Sequence, residues 1–161
     1  MSVGSRWFAL LALAAFTVPL FAADWPQWRG PNRDDVSTET NLQPRWPADG
    51  PSRLWLSDQA GIGYSGFSVV GDTLYTMGAD DQTESVIAIN VANGDVKWST
   101  PISERLKNGY GDGPRCTPTI EGHRIYALGG RGALACLNTA DGAEIWTVQM
   151  RDFGGRTPGW G

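Results

Sequence analysis

Two stretches of this sequence are copies of each other. Residues 68–98 read SVVGDTLYTMGADDQTESVIAINVANGDVKW, and residues 117–146 read TPTIEGHRIYALGGRGALACLNTADGAEIW. Placing Gly71 on Gly122 also places Tyr75 on Tyr126, at an offset of 51 residues. After a deletion of three residues the offset becomes 48, and it aligns Ala88 with Cys136, Asn90 with Asn138, Gly94 with Gly142 and Trp98 with Trp146. A period of 40 to 50 residues that holds several short strands is typical of a propeller blade or another repeat array.

Each copy resolves into four short strands separated by turns. The predicted strands are 64–70, 73–77, 85–90 and 95–99 in the first copy, and 117–120, 124–128, 133–137 and 144–148 in the second. Pairs such as Gly71-Asp72 and Asn93-Gly94 supply the positive φ angles that tight hairpins need. The strand sequences VIAINV and LACLN are apolar on both faces, as expected for blades packed between neighbouring sheets. We therefore predict two complete blades, at about 63–99 and 115–148.

Partial blades flank these two. Residues 53–56 repeat the Val96–Trp98 pattern, with Trp55 placed 43 residues before Trp98, and residues 152–161 begin a third blade. The predicted fold is all-β, a partial β-propeller of four-stranded antiparallel blades over residues 53–161. Because closed propellers need about 4 to 8 blades, we expect a fragment of a ring of about seven or eight blades.

The first 22 residues have the composition of a secretory signal peptide. Arg6 precedes an uncharged apolar run at 7–21, and the small residues Ala22 and Ala23 follow. The run is shorter than the ~20 residues that span a bilayer, although an uncleaved anchor is the alternative. We expect an exported protein, periplasmic or associated with the cell envelope, with no membrane span after cleavage. The formal net charge of −4 would become −5, and without clustered Lys and Arg the chain is a poor nucleic-acid binder.

Residues 23–52 form a Trp- and Pro-rich segment without strand or helix periodicity. Trp25, Trp28, Trp46 and Leu42 make it too apolar for a free linker. We expect an ordered strap laid over the outside of the propeller, with a disordered leader as the alternative.

Two cysteines remain in a protein for which disulfides are chemically permitted. Cys116 is predicted to start the first strand of its blade and Cys136 to lie in the third. Strands that are not neighbours lie about 9–10 Å apart, beyond disulfide reach. Both thiols are therefore expected to be free, with Cys136 packed as a small apolar residue in the position that Ala88 takes in the first copy.

The residues offer few candidates for catalysis or metal binding. Asp80, Asp81 and Glu84 fall in a hairpin loop, where a solvated turn is favoured over a metal site. His123 is the single histidine and is expected to be exposed in a turn, without the companions of a zinc site or a triad. Residues 129–132 are glycine-rich but no helix follows, so they predict a hairpin and not a phosphate loop. We assign no catalytic or metal-binding residue.

One segment could bind a ligand at the axis of the propeller. Tyr110, Asp112 and Arg115 lie in GYGDGPRCT, which leads into the innermost strand of the second blade. An Arg with an Asp and a Tyr could hold an anionic or quinone-like ligand through charge-assisted hydrogen bonds. The alternative is that Arg115 bonds Asp112 or a carbonyl and fixes the start of the blade.

The stretch AINVANGDVKW at 88–98 resembles the tryptophan-docking motif of pyrroloquinoline-quinone-type propellers. The second copy keeps Asn138, Gly142 and Trp146 but has Cys136 in the Ala position, and neither copy has the Thr that usually precedes the Gly. In that family the Trp packs across to the adjoining blade. The resemblance assigns this role to Trp98, Trp146 and Trp55.

Three further stretches are similar to exported quinoprotein-like repeat proteins of planctomycete-type bacteria: DWPQWRGPNRD at 24–34, GYGDGPRCTPT at 109–119 and RDFGG at 151–155. Such propellers include dehydrogenases that bind pyrroloquinoline quinone with Ca²⁺, repeat proteins without a known ligand and, more distantly, the propeller subunit of the outer-membrane β-barrel assembly machinery. One fold hosts all three functions.

We favour a binding or scaffold module with no catalysis by this segment, whose partner is a protein or small molecule that the sequence does not name. The first alternative is part of a quinone-dependent oxidoreductase, which the resemblance would equip with the quinone and Ca²⁺; this chain lacks the adjacent Cys pair common in such enzymes. The second is a partner-binding role in outer-membrane protein assembly, disfavoured because no Cys for lipidation follows the apolar run.

Overall fold

The computed structural model describes residues 22–159, so the predicted signal peptide lies outside the described residues except for Ala22. Eight strands form two four-stranded antiparallel sheets, in the orders β1-β2-β3-β4 and β5-β6-β7-β8. Their bounds are β1 Phe67–Val70, β2 Thr73–Ala79, β3 Thr83–Asn90, β4 Val96–Glu104, β5 Thr119–Glu121, β6 Arg124–Leu128, β7 Ala133–Asn138 and β8 Glu144–Gln149. A 3₁₀ turn at Met150–Phe153 follows, and no α-helix occurs within 22–159. The predicted all-β fold with blade-like sheets is confirmed.

The two sheets, called the first and second blade below, have the same strand pairing at equivalent residues. In the first, Ala88 pairs with both Tyr75 and Trp98 across the strands, and in the second Cys136 pairs with both Tyr126 and Trp146. The register shifts immediately after Ala88 and after Cys136. The ring centroids of Tyr75 and Trp98 lie 6.0 Å apart and those of Tyr126 and Trp146 lie 6.1 Å apart, at interplanar angles of 47° and 46°. The alignment of the repeats is thereby confirmed.

The blades pack face to face around one core. Burial alternates along the first five residues of β2, so that Tyr75 and Met77 are buried while Leu74 and Thr76 are less so. Buried side chains of both sheets form the core: Tyr75, Met77, Val86, Ala88 and Ile102 from the first blade, and Ile120, Ile125, Ala127, Ala135 and Leu137 from the second. Strand β4 runs five residues beyond its predicted end, because Thr83 and Glu84 extend β3 and pair with Glu104 and Ser103.

An indole–glycine contact joins successive units. The Trp98 indole lies on Gly142 of the second blade, where a Cβ would come within 2.5 Å of an indole carbon, and Gly142 has φ 71°. The Trp98 Nε1–H donates to the Thr139 carbonyl at 3.2 Å. Trp55 repeats the arrangement on the first blade: its indole lies on Gly94, at φ 78°. Residues 53–56 themselves are not a strand, so the expected isolated fourth strand is not formed there.

Trp146 has no such contact within the described residues. It is 38% exposed, whereas Trp98 is half-buried. We expected both indoles to be buried; Trp98 is only partly buried, and for Trp146 the expectation is wrong, because no further sheet covers it within 22–159. The start of a third blade at 152 is also not formed as a strand, since the 3₁₀ turn and irregular backbone occupy 150–159.

The N-terminal segment binds both blades. Trp25 exchanges backbone hydrogen bonds of 2.7 and 2.9 Å with Val69 of β1, and the Pro26 carbonyl accepts the Ile120 N–H of β5 at 2.8 Å. Strands β1 and β5 are edge strands in contact with each other, and the Ser68 hydroxyl of β1 donates to the carbonyl of Pro118, the residue before β5. This part of the segment is ordered, but it lies along the facing edges and not over the outside as expected.

Candidate functional site

Asp80, Asp81 and Glu84, which the sequence places in one hairpin loop, have different surroundings in the structure. Asp80 Oδ1 accepts the N–H groups of Gln82 and Thr83 at 2.8 and 2.7 Å. These bonds, that from Thr83 first, hold the pKa of Asp80 below its usual value. Asp80 thus closes the β2–β3 turn, and the neighbouring Asp81 is exposed. For these two residues the expected solvated turn is correct.

Glu84 departs from that expectation. It is the second residue of β3 and is fully buried. Its carboxylate accepts the Ser103 hydroxyl at 3.1 Å, the Leu106 N–H at 2.9 Å and the Gly130 N–H of the second blade at 2.7 Å. Its oxygens therefore join the two blades, because they accept from donors on both. Glu84 is thus part of neither a solvated turn nor a metal cluster.

The glycine-rich residues 129–132 form the predicted hairpin between β6 and β7. Gly130 has to lack a side chain here, since a Cβ would lie 2.9 Å from the Leu106 Cβ and 3.1 Å from a Glu84 oxygen. Within residues 22–159, no three His, Cys, Asp or Glu side chains converge on a common point.

His123 and Cys136 lie as expected, whereas Cys116 lies outside the strand predicted for it. His123 is exposed in the turn between β5 and β6, and neither thiol forms a disulfide. Cys136 is fully buried, and this burial raises the pKa of its thiol. Cys116 is half-buried and precedes β5, so its predicted place within the strand is wrong by three residues.

The three predicted ligand-binding residues have different partners. Asp112 pairs with Arg105, whose Nη2 lies 2.5 Å from a carboxylate oxygen. Arg105 first and the Asn108 N–H second hold the pKa of Asp112 below its usual value. Tyr110 is 81% exposed. Arg115 donates to the carbonyls of Gly111 and Gly113 at 2.9 and 3.0 Å. Arg115 thus bonds carbonyls, as one alternative held, and not Asp112; a ligand-binding role of the three residues stays a prediction.

Arg115 also lines a cavity of about 490 Å³, which we call the arginine cavity. Its wall is lined by two parts of the chain, namely Arg115, Cys116, Thr117 and Thr119 at the start of the second blade and Gln27, Trp28 and Arg33 of the N-terminal segment. Sequence reasoning missed Trp28 and Arg33 as site residues. No periodic signal in the segment places residues 27–33 beside residues 115–119; only the backbone bond from Ile120 to Pro26 does so.

A compact loop holds the N-terminal wall of this cavity. Arg29, Arg33 and Asp35 have φ of 64°, 59° and 61°, a region that residues with a Cβ rarely adopt. The Arg33 Nε–H donates to Gln27 Oε1 at 3.0 Å, and the Arg29 guanidinium pairs with Asp35 at 2.6 Å. The Trp25 ring packs on Gly30, where a Cβ would lie 2.7 Å from it. The loop is therefore fixed by its own contacts.

A second cavity of about 560 Å³ lies beside the 3₁₀ turn and is lined by Arg131, Arg151 and Arg156. Two of these arginines have carboxylate neighbours, Glu104 at 3.7 Å from Arg131 and Asp152 at 3.9 Å from Arg151. Its positive charge is thus partly compensated. Among residues 22–159, no helix is long and apolar enough to cross a membrane.

Comparison with known proteins places these blades in a family. A model described as outer membrane protein assembly factor BamB, built on pyrroloquinoline-quinone-like repeats, matches residues 45–158. A protein of Rickettsia prowazekii (strain Madrid E), named as uncharacterized protein RP232, is 30% identical over 76 residues. That match covers 44% of this chain and 18% of the relative, so the chain spans a minor part of the relative's length. The matched region includes both blades and both indole–glycine contacts, and the chain belongs to this family of pyrroloquinoline-quinone-like (BamB) repeat proteins.

Proposed function

We propose that this chain is a propeller-repeat module that acts outside the cytoplasm by binding, as a scaffold, without catalysis by residues 22–159. The single observation that carries this proposal is the repeated indole–glycine contact. Trp55 lies on Gly94, Trp98 lies on Gly142, and each indole donates to a carbonyl at an equivalent position. The contact makes each blade a platform for the next, which is how repeat arrays are stabilised.

The second blade presents the surface that such an array would continue. Tyr126, Leu128, Leu134 and Trp146, which we call the open face, are all partly exposed. Their equivalents Tyr75, Met77 and Val86 in the first blade are 5%, 3% and 0% exposed under the second blade. We infer that another four-stranded repeat covers the open face, with Trp146 on a turn glycine, as part of a ring of about seven or eight blades.

The described residues do not fit a quinone–calcium pair. Ca²⁺ takes six to eight oxygen ligands, mostly from carboxylates and carbonyls. The one fully buried carboxylate, Glu84, is bonded to three donors, and no three acidic, His or Cys side chains converge within 22–159. Asp112 is paired with Arg105. A redox step is therefore not part of the proposed role.

Two measurements on the exported chain test this function. Cell fractionation and mass spectrometry should find the protein in the periplasm or envelope, starting near Ala23. The purified chain, supplied with pyrroloquinoline quinone and Ca²⁺, should not reduce dichlorophenolindophenol with alcohols or aldoses. Dye reduction above that of the free quinone would contradict the binding role, and a cytoplasmic product of full mass would contradict the export.

The family description favours a second role, partner binding in outer-membrane protein assembly. Deleting the gene and measuring the amounts of folded outer-membrane proteins separates it from a general scaffold. A selective loss of these proteins, restored by the native gene, would favour the assembly role. Unchanged amounts would count against it.

A further inference from the structure

We propose that the arginine cavity binds a small organic anion, in which a carboxylate, sulfate or phosphate group is attached to a flat ring. This inference rests on the proposed binding role and assigns it a ligand class. Arg33 and Arg115 would hold the anionic group, and Trp28 would contact the ring.

The charge of the cavity supports an anion. Arg33 and Arg115 both line it, no Asp or Glu does, and neither arginine forms a salt bridge within residues 22–159. The chain as a whole has a formal net charge of −4, so this concentration of positive charge is local. Two guanidinium groups that line one cavity carry like charges, which an anion bound there would compensate. Their planar forks match the geometry of carboxylate, sulfate and phosphate oxygens.

Free donors remain on both arginines. Arg33 uses Nε for Gln27, and its two terminal nitrogens make no hydrogen bond within the described part of the chain. Arg115 uses its terminal nitrogens for the carbonyls of Gly111 and Gly113. These bonds fix the guanidinium beside the cavity and leave some of its N–H groups for a ligand, because the group carries five. The hydroxyl of Thr119, which also lines the cavity, is a further donor.

Trp28 favours a flat ring as the second part of the ligand. It is 64% exposed and lines the cavity next to the two arginines. The Arg29 guanidinium lies 5.2 Å from the Trp28 ring centroid, which restricts the indole. An exposed indole held in place offers stacking area at a low cost in side-chain entropy.

The loop is organised before any ligand arrives. Three residues with positive φ, Arg29, Arg33 and Asp35, persist in it because hydrogen bonds and the Trp25–Gly30 packing over-determine the backbone. Strained backbone of this kind clusters at ligand clamps. Its presence on one wall of a positively charged cavity agrees with a binding site.

The thiol of Cys116 gives a direct readout, since it lines the cavity and is half-buried. In the full chain, modification of Cys116 by the neutral reagent iodoacetamide is followed by mass spectrometry, while fully buried Cys136 serves as the unreactive reference. The probes are benzoate, phenyl sulfate, phenyl phosphate and the neutral benzamide. At least one of the three anions should slow the modification of Cys116. The anion that slows it most identifies the preferred anionic group, and 0.5 M NaCl should weaken this protection.

Three variants test which residues bind the anion. Arg33→Gln should weaken binding of the best anion about tenfold or more, as expected for loss of one charge-assisted hydrogen bond. Arg45→Gln removes the same charge from the same exposed segment but outside the cavity, and should bind as the native chain does. Trp28→Ala should weaken binding of phenyl sulfate more than that of inorganic sulfate.

Protection by benzamide equal to that by every anion, or equal affinities of Arg33→Gln and Arg45→Gln, would overturn the proposal. So would a lack of protection by all three anions. None of these results changes the outcome of the dye-reduction test, so a failure of the anion site can be distinguished from a failure of the non-catalytic binding role.

Discussion

Glu84 shows at the scale of one residue how an acidic side chain can be part of the core. A buried carboxylate requires donors, and this one has the Ser103 hydroxyl and the N–H groups of Leu106 and Gly130. Ser103 lies in β4 of the first blade and Leu106 follows that strand, whereas Gly130 belongs to the second blade. The carboxylate therefore fixes the distance between the two blades at their β2–β3 and β6–β7 turns.

Glu84→Ala should destabilise the chain by about 3 kcal/mol or more, because buried N–H groups left without an acceptor cost about 1–3 kcal/mol each. Urea unfolding followed by tryptophan fluorescence measures the difference. Glu104→Ala is the matched control: this glutamate is exposed at the end of β4, and its replacement should change the free energy of unfolding by less than about 0.5 kcal/mol. Equal effects of the two changes would contradict the bridging role of Glu84.

The Asp112–Arg105 pair should contribute to the pH dependence of stability. Arg105 holds the pKa of Asp112 below its usual value, so the folded state favours the ionised carboxylate. This stabilisation is present above the unfolded-state pKa of about 3.9 and is lost as the pH falls through the lower folded-state value. Asp112→Asn should be less stable than the native chain at pH 7, and the gap should narrow below pH ~4. A gap that stays constant down to pH ~2 would exclude the ion pair as its source.

At the scale of the strand and turn, Gly142 is the position where the repeat contact can be tested. Gly142 and Gly122 have φ of 71° and 57°, but a Cβ at Gly142 would collide with the Trp98 indole whereas one at Gly122 meets open space. Gly122→Ala should cost about 1 kcal/mol for the backbone alone. Gly142→Ala should cost a further 1–3 kcal/mol, roughly, for the displaced indole.

Equilibrium unfolding of both variants checks this, with the tryptophan emission wavelength of the folded chain as a second readout. Equal destabilisation by the two substitutions, without a shift in emission, would mean that the indole–glycine contact contributes nothing.

The sequence predicted these elements well because turn chemistry and alternation are local signals. Gly-Asp, Asn-Gly and Asp-Gly pairs located the hairpins, and the match of Trp98 to Trp146 gave the register. The sequence could not predict the burial of Glu84, because a glutamate three residues after an Asp-Asp turn looks solvated and one of its three donors, the Gly130 N–H, comes from the neighbouring blade. It could not predict the arginine cavity either, since Arg33 and Arg115 are brought to one cavity by the backbone bonds of Trp25 and Pro26, which no sequence pattern indicates.

For the whole molecule, the open face determines how the isolated chain should behave. Trp146 is 38% exposed on a face that is otherwise apolar. Exposed apolar patches favour association, so residues 22–161 should associate with rising concentration in sedimentation velocity. Trp146→Gln should reduce this association, whereas Leu56→Gln, which changes a residue that is 78% exposed outside the open face, should not. A chain that stays monomeric at every concentration, or responds equally to both changes, would contradict this.

The bonds of Trp25 to Val69 and of Pro26 to Ile120 also have a consequence for folding during synthesis. The segment that carries Trp25 and Pro26 is made before either blade, yet its partners lie far along the chain, and Ile120 is translated only after the whole first blade. Contacts between distant parts of a sequence form slowly, because a long loop has to be closed first. The N-terminal segment is thus translated first, but the bond that brings its Arg33 wall to the arginine cavity can form only after Ile120, in the first strand of the second blade, has been made.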